Sequence, residues 1–486
     1  MPSLLLQQFY RHKNGLTQIN GTDNEGFSAL FVVNTPVVDN SGVAHAVEHM
    51  VFRSSKAFPQ PETLFQLTSL TDAKINASTH ESTTYFHCQS QCADTFNLAI
   101  NYLLNGLFSP TFTAKDLRCE LHDGGEKGVI YQELLGSEQA NKQNENKDLN
   151  KSEQSEYCYG GVSATIGELS LKGLSNYHQQ FYQAENITLV TTNADVAKIA
   201  QLIALLPKSQ QAKKKGTVLS TLPNKVPRDE SSKDDKKYSQ GIKNLVNTYE
   251  LWLKYSHDQK TEILTKVDSK QASLIPIDAH KSHQKNSSLI SSLVTLSDHL
   301  TQAVMTDESL TIDNNDKIAP VKSVSLPGLF TPLFQQAKKQ LSCAEANSSS
   351  HHAYIYDESN GLWLHKIKTT ERILATIAGY IISAYPQFLA TRCLGSCYAT
   401  QALTIEHSTY LAIYTAFDIS SNTRVHDITQ CLLALSRDNN FINISLPLAK
   451  AKYCRLNHLE QQQLTTITAE QLSSYLLAIS NTSTSP

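Results

Sequence analysis

Charge is what this chain has least of. Lys, Arg, Asp and Glu make up 18% of its 486 residues, against about 25% in an ordinary soluble domain. Neutral polar side chains, mainly Ser, Thr, Asn and Gln, fill the deficit. The net charge is −3 and the pI is near 6.6, so no global basic field recommends a nucleic-acid partner. Gly, Pro and the apolar share are unexceptional, which excludes collagen-like, coiled-coil and wholly disordered chains. The nine cysteines contain no Cys-x-x-Cys pair. Their odd number and loose spacing argue against a disulfide framework and for a reduced compartment. The first residues hold no basic run and only the short Leu4–Leu6 apolar stretch. The expectation is therefore a cytoplasmic protein with no signal or transit peptide.

Long apolar runs are scarce too. One apolar charge-free stretch, 373–391, spans 19 residues but contains Thr376, Gly379, Ser383, Pro386 and Gln387. A spanning helix needs about 20 mostly apolar residues. The stretch reads instead as a buried helix that stops before Pro386, with no membrane partner.

What is present falls into three parts. Residues 1–207 alternate strand-like and helix-like segments and predict an α+β or α/β domain. Strands are expected at 26–33, 83–88 and 187–192, with helices at 43–52 (Ser41 as N-cap), 96–107 and 196–206. Residues 208–352 are charged and breaker-rich, as in 228–237, and read as a linker. Within them Ile242, Leu245, Val246, Tyr249 and Leu253 make one amphipathic helix, and Ser348–His352 reads as loop. Pattern returns over 353–486, with helices at 372–384, 427–435 and 469–479 and a strand at 410–417.

The residues with chemistry are His45-Ala46-Val47-Glu48-His49. On a helix, His45 and His49 are a turn apart on one face and can share a cation. Glu48 stands beside them, able to reach a metal-bound water without being a ligand. This is the inverted arrangement His-x-x-Glu-His. A catalytic zinc usually takes three protein ligands and water, so the chain must supply a third.

The surroundings supply a resemblance. Gly42 to Val51 resembles the active-site segment of the insulinase/pitrilysin metallopeptidases, closest to their presequence-protease branch. Lys74–Thr79 with Thr84–Phe86 resembles that family's Asn-Ala edge strand. Lys127–Gly136 resembles the segment giving the third ligand, here Glu133, which lies 84 residues after His49. Gly160-Gly161 and Leu174–Tyr182 resemble the close of the same domain. Ala390–Tyr398 resembles the Arg-x-x-Gly-x-x-Tyr element of the family's last domain.

The resemblance implies one zinc ion on His45, His49 and Glu133, with Glu48 as general base. It also implies a supporting role for Glu126, seven residues before Glu133. Asn76 and Ala77 would bind an unfolded peptide by strand addition. Arg392 would grip the substrate backbone, and Tyr398 would help to hold the carbonyl oxygen that becomes an oxyanion. Cys393 and Cys397 are expected to be buried thiols rather than a redox pair.

The implied fold is two homologous α+β units of mixed, largely antiparallel sheet packed with helices, 1–207 and 353–486, joined by a partly helical linker. Presequence-type relatives are about twice as long and enclose a chamber with four units, whereas only two are matched here. The chain thus reads as an internally shortened zinc endopeptidase that needs a second copy or a partner chain to complete a chamber. The competing expectation is a catalytically degenerate relative, acting as a non-proteolytic or partner-dependent subunit.

Overall fold

In the computed structural model of the chain, the described residues are 8–22, 26–122, 124–125, 127–144, 157–206, 240–253, 265–266, 326–344, 352–405, 408–459, 464 and 466–480. They form two α+β units. The first has strands Gln8–Arg11 (β1), Thr17–Gly21 (β2), Phe27–Asn34 (β3), Lys74–Thr79 (β4), Thr83–Ser90 (β5), Ile187–Thr192 (β6) and Thr265–Lys266 (β7). These pair in the order β4-β5-β3-β6-β2-β1-β7, which leaves β4 outermost. Its helices are Val43–Arg53 (α1), Thr63–Leu70 (α2), Ala93–Phe108 (α3), Ala114–Glu120 (α4), Val129–Asn144 (α5), Leu171–Phe181 (α6), Val196–Leu205 (α7) and Gln240–Leu253 (α8).

The sequence of β3 shows how this sheet is covered. Successive strand side chains point to opposite faces. Ala29, Phe31 and Val33 enter the larger core with α1 and α3, while Leu30 and Val32 face Ile242, Leu245 and Tyr249 of α8. Both faces are dry, so β3 is apolar without alternation from Ala29 to Val33. The amphipathic stripe in the charged region is therefore a cover for the first sheet.

The second unit has strands His352–Tyr356 (β8), Gly361–Lys366 (β9), Ala399–Thr404 (β10) and Tyr410–Ala416 (β11), antiparallel in the order β10-β11-β9-β8. Helix Thr331–Ala344 (α9) lays Leu333, Ala337 and Leu341 on one face, against Leu362, Leu364 and Ala412. This helix lies inside the stretch read from sequence as linker, and His352 opens β8 where a loop was expected.

Trp363, Leu411 and Ile413 point to the other face. There Arg372–Ile382 (α10), Pro386–Cys393 (α11), Arg424–Arg437 (α12), Asn439–Asn457 (α13) and Ala469–Ser480 (α14) supply the core. The charge-free stretch thus breaks after Ile382, and Pro386 restarts it in the first turn of α11 after a 51° bend. A proline there costs no internal hydrogen bond. No single described helix is long and apolar enough to cross a membrane.

Helix α2 fastens the two units together. Leu70 is fully buried in the second unit's core, and Gln66 Nε2 donates to Ala384 O at 2.9 Å. Lys452 Nζ donates to Thr68 O (2.8 Å) and Ser69 O (2.9 Å), carbonyls that the end of α2 leaves open. This docking brings the turn after α11 against the first unit beside α1, α4 and α5.

Candidate metal centre

His45 and His49 project from one side of α1, their rings edge to face with centroids 4.8 Å apart. The helix starts at Gly42, whose φ of 72° places it in the left-handed region. Ser41 is one residue too early to be the N-cap; its hydroxyl accepts from Val43 N at 3.3 Å. A Cβ on Gly42 would lie 2.8 Å from Gly160 O and 2.9 Å from Gly161 Cα. That close approach sets Gly160 O 3.0 Å from His45 Nδ1. A carbonyl can only accept, so Nδ1 carries the proton and the Nε2 lone pair faces inward.

His49 is held in the same way by a different group. Its Nδ1 lies 3.0 Å from Glu120 Oε2, at the end of α4. Burial works against an ionised Glu120, but Arg392, His49 and Arg53 outweigh it and hold the carboxyl far below its ordinary range. Glu120 therefore accepts from Nδ1, and Nε2 is again left for a ligand.

Glu133, in the second turn of α5, faces both rings. Its Oε2 is 3.7 Å from His45 Nε2 and 3.5 Å from His49 Nε2. The three ligand atoms lie within 4.8 Å of one another. That oxygen is buried without a hydrogen-bond partner among the described residues, an arrangement that costs about 1–3 kcal/mol or more unless something fills it.

A metal ion fits the three groups. Tetrahedral bonds of about 2.0–2.2 Å put neighbouring ligand atoms about 3.3–3.6 Å apart. The charge also fits. Burial disfavours a charged His49, yet the carboxylates of Glu120 and Glu133 push it up to about 10, so the site prefers positive charge at this point.

Glu48 is 7% exposed, and burial raises its carboxyl above the ordinary range. The charges of His45 and His49 oppose the rise, as does Thr79, whose Oγ1 donates to Glu48 Oε2 at 2.5 Å. Thr79 ends β4, so the edge strand and the carboxylate are joined directly. Asn76 lies exposed and Ala77 half-buried on the same outermost strand.

Tyr398 comes to this centre from the second unit. Burial first, then the negative charges of Glu133 and Glu48, raise its hydroxyl above the ordinary phenol range. Arg392 is also here but engaged: its Nη1 lies 3.1 Å from Glu120 Oε1, and the guanidinium stands 5.4 Å from the Phe65 ring centroid. Cys393 and Cys397 are buried thiols, and burial pushes Cys393 up to about 12. Glu126 lies outside the described residues.

Four contributors have no role in the motif reading: Glu120 and Arg53, and also Thr79 and the carbonyl of Gly160, although these two lie in matched segments. Arg53 could have been found, because it continues the His45–His49 stripe by one further turn. Glu120 stands on a different helix with no motif around it, and a carbonyl leaves no mark in a sequence.

Comparisons with known proteins point the same way. Residues 37–146 match the model of "Insulinase (Peptidase family M16)". An uncharacterized protein of Schizosaccharomyces pombe is 28% identical over 181 residues, 35% of this chain and 17% of its own length. The mitochondrial presequence protease of Candida albicans is 28% identical over 189 residues, again 35% of this chain and 17% of the relative. The match thus spans about a sixth of these curated relatives. A putative M16-like peptidase of known structure from Alicyclobacillus acidocaldarius aligns over 98% of this chain and 96% of its own. At 12% identity and a TM-score of 0.33, that likeness is too loose to bear on the fold.

Proposed function

We propose that this chain, whose residues 37–146 match the insulinase family of peptidases, is a zinc-dependent endopeptidase that hydrolyses unfolded peptides. One observation carries the reading. Glu133 Oε2 is buried without a hydrogen-bond partner, 3.7 and 3.5 Å from two imidazole nitrogens whose opposite nitrogens are tied away. Two nitrogen lone pairs and a carboxylate oxygen aimed at one buried point make a three-ligand metal site.

Zinc bound there would supply the Lewis acid that polarises a scissile carbonyl and acidifies water. The remaining work belongs to the chain. Glu48 takes a proton from the attacking water and returns it to the leaving amine. Thr79 occupies Oε2, which leaves Oε1 to carry that proton. Burial keeps the carboxyl more basic than an exposed glutamate, as a proton acceptor needs. Tyr398, its hydroxyl proton firmly held, donates to the oxygen that gains charge. The outermost strand β4 offers its backbone edge beside Asn76 and Ala77, so an extended peptide can be read through its main chain.

The test is metal content and turnover of a quenched peptide by the purified chain. Glu48→Gln is expected to keep stoichiometric zinc and lose cleavage. Unchanged turnover in that variant, or a wild-type chain without zinc, rejects the reading.

A further inference from the structure

Glu120 divides its two oxygens between the units. Oε2 holds His49 Nδ1 at 3.0 Å, while Oε1 takes Arg53 Nη1 at 2.9 Å and Arg392 Nη1 at 3.1 Å. Arg53 lies on α1, one turn past His49, and is itself fixed: its Nε donates to Asp116 Oδ1 at 3.0 Å and its Nη2 to Cys393 O. Arg392 arrives from the second unit at the end of α11.

The turn that follows is seated tightly on the first unit. Gly128 N donates to Gly395 O at 3.0 Å. Gly395 has a φ of 78°, and a Cβ there would fall 2.5 Å from Cys119 O. Besides Tyr398, the second unit therefore reaches the centre through its backbone at 393 and 395 and through the Arg392 guanidinium.

We infer that Arg392 is a positioning residue for the metal site: it fixes Glu120, and through Glu120 the ring of His49, so the second unit sets how tightly the first unit holds its ion. The inference rests on the metallopeptidase reading and departs from the substrate-gripping role that the sequence resemblance implies for this residue.

The physical grounds are geometric and electrostatic. The Arg392 side chain is 12% exposed, and its guanidinium lies between the Phe65 ring and Glu120, with Nη1 on Glu120 Oε1. A carboxylate with one oxygen clamped by two guanidiniums has a single orientation for the other oxygen. That orientation fixes the plane of the imidazole and the direction of Nε2. Without Arg392, Glu120 keeps Arg53 but loses one of the two donors that hold Oε1.

Zinc affinity, measured on the full chain by competition with a chromogenic chelator, tests this without using activity. Glu120→Gln is expected to weaken zinc binding by about 10–100-fold, the usual cost of losing an outer partner of a ligand. Arg392→Met keeps an unbranched side chain and removes the guanidinium, and is expected to weaken binding by roughly three- to tenfold. Arg392→Lys, which keeps a positive charge within reach of Glu120, should recover most of that loss.

The double variant decides the route. If Arg392 acts through Glu120, adding Arg392→Met to Glu120→Gln changes zinc affinity little further. An equal loss in both backgrounds overturns the inference. So does a zinc affinity unchanged in Arg392→Met while the peptide KM rises, which is the signature of a substrate contact. Should Arg392→Met not fold, Arg392→Gln carries the same expectation. A wild-type chain with no zinc affinity overturns the underlying peptidase reading instead, so the two failures are distinct.

Discussion

Thr79 Oγ1 donates a 2.5 Å hydrogen bond to Glu48 Oε2, tying the outermost strand of the first sheet to the carboxylate proposed as general base. The same threonine lies 3.5 Å from the Thr84 hydroxyl, which in turn contacts Thr35 at 2.8 Å, so its rotamer is held from behind. Thr79→Val keeps the shape and removes the donor. Turnover of a quenched peptide is expected to fall on the order of tenfold, as a general base contributes about 10²–10⁴ and is here loosened, not removed. Zinc content should not change, and Thr79→Ser should restore most of the rate. Loss of zinc in Thr79→Val would mean that the threonine supports the ligands instead.

Gly42 is the second lever. A side chain there meets Gly160 O and Gly161 Cα below 3 Å and must also adopt a positive φ. Gly42→Ala is expected to destabilise the fold by about 1–3 kcal/mol in urea unfolding. It also pushes away the carbonyl that fixes His45 Nδ1, so chelators should strip zinc faster. Normal zinc retention in a folded Gly42→Ala would show that His45 needs no such partner.

The docking of the units is open to a direct measurement at Leu70. Its side chain belongs to the first unit by sequence but is wholly buried in the second unit's core. Leu70→Ala is expected to cost about 2–5 kcal/mol. If the two units are one cooperative block, a single urea transition moves as a whole. Two transitions, with only one displaced, would show the units unfolding separately.

Lys452 makes that docking sensitive to pH. Burial lowers its amine from the ordinary 10.5 to about 7, against the pull of Asp72. The folded chain then binds fewer protons than the unfolded chain between about pH 7 and 10.5. Stability from this group therefore rises with pH across that window and is flat below it. Lys452→Met should flatten the difference, read as urea midpoints at pH 7 and pH 9.5. An unchanged pH slope in the variant would assign the dependence to other groups.

Much of this was legible in local pattern. Strand 187–192 and the helix beginning at Val43 lie where periodicity and turn residues put them. Helix Asn439–Asn457 was not legible, because Pro447 sits inside it and breaks the expected signal. Helix α9 was hidden in a polar region; its Leu333, Ala337 and Leu341 stripe has meaning only once β8 and β9 are paired beneath it.

The sequence by itself determined the pair of histidines and the glutamate beside the second, because spacing on one helix is a local property. It also pointed, by resemblance, to Glu133 and Tyr398. Only the tertiary structure decided that Glu120 and the Gly160 carbonyl fix the two rings, that Thr79 holds Glu48, and that Arg392 spends its charge on Glu120. Those contacts join residues 31 to 272 positions apart. They depend on where α4, β4 and α11 end in space, and no local periodicity encodes that.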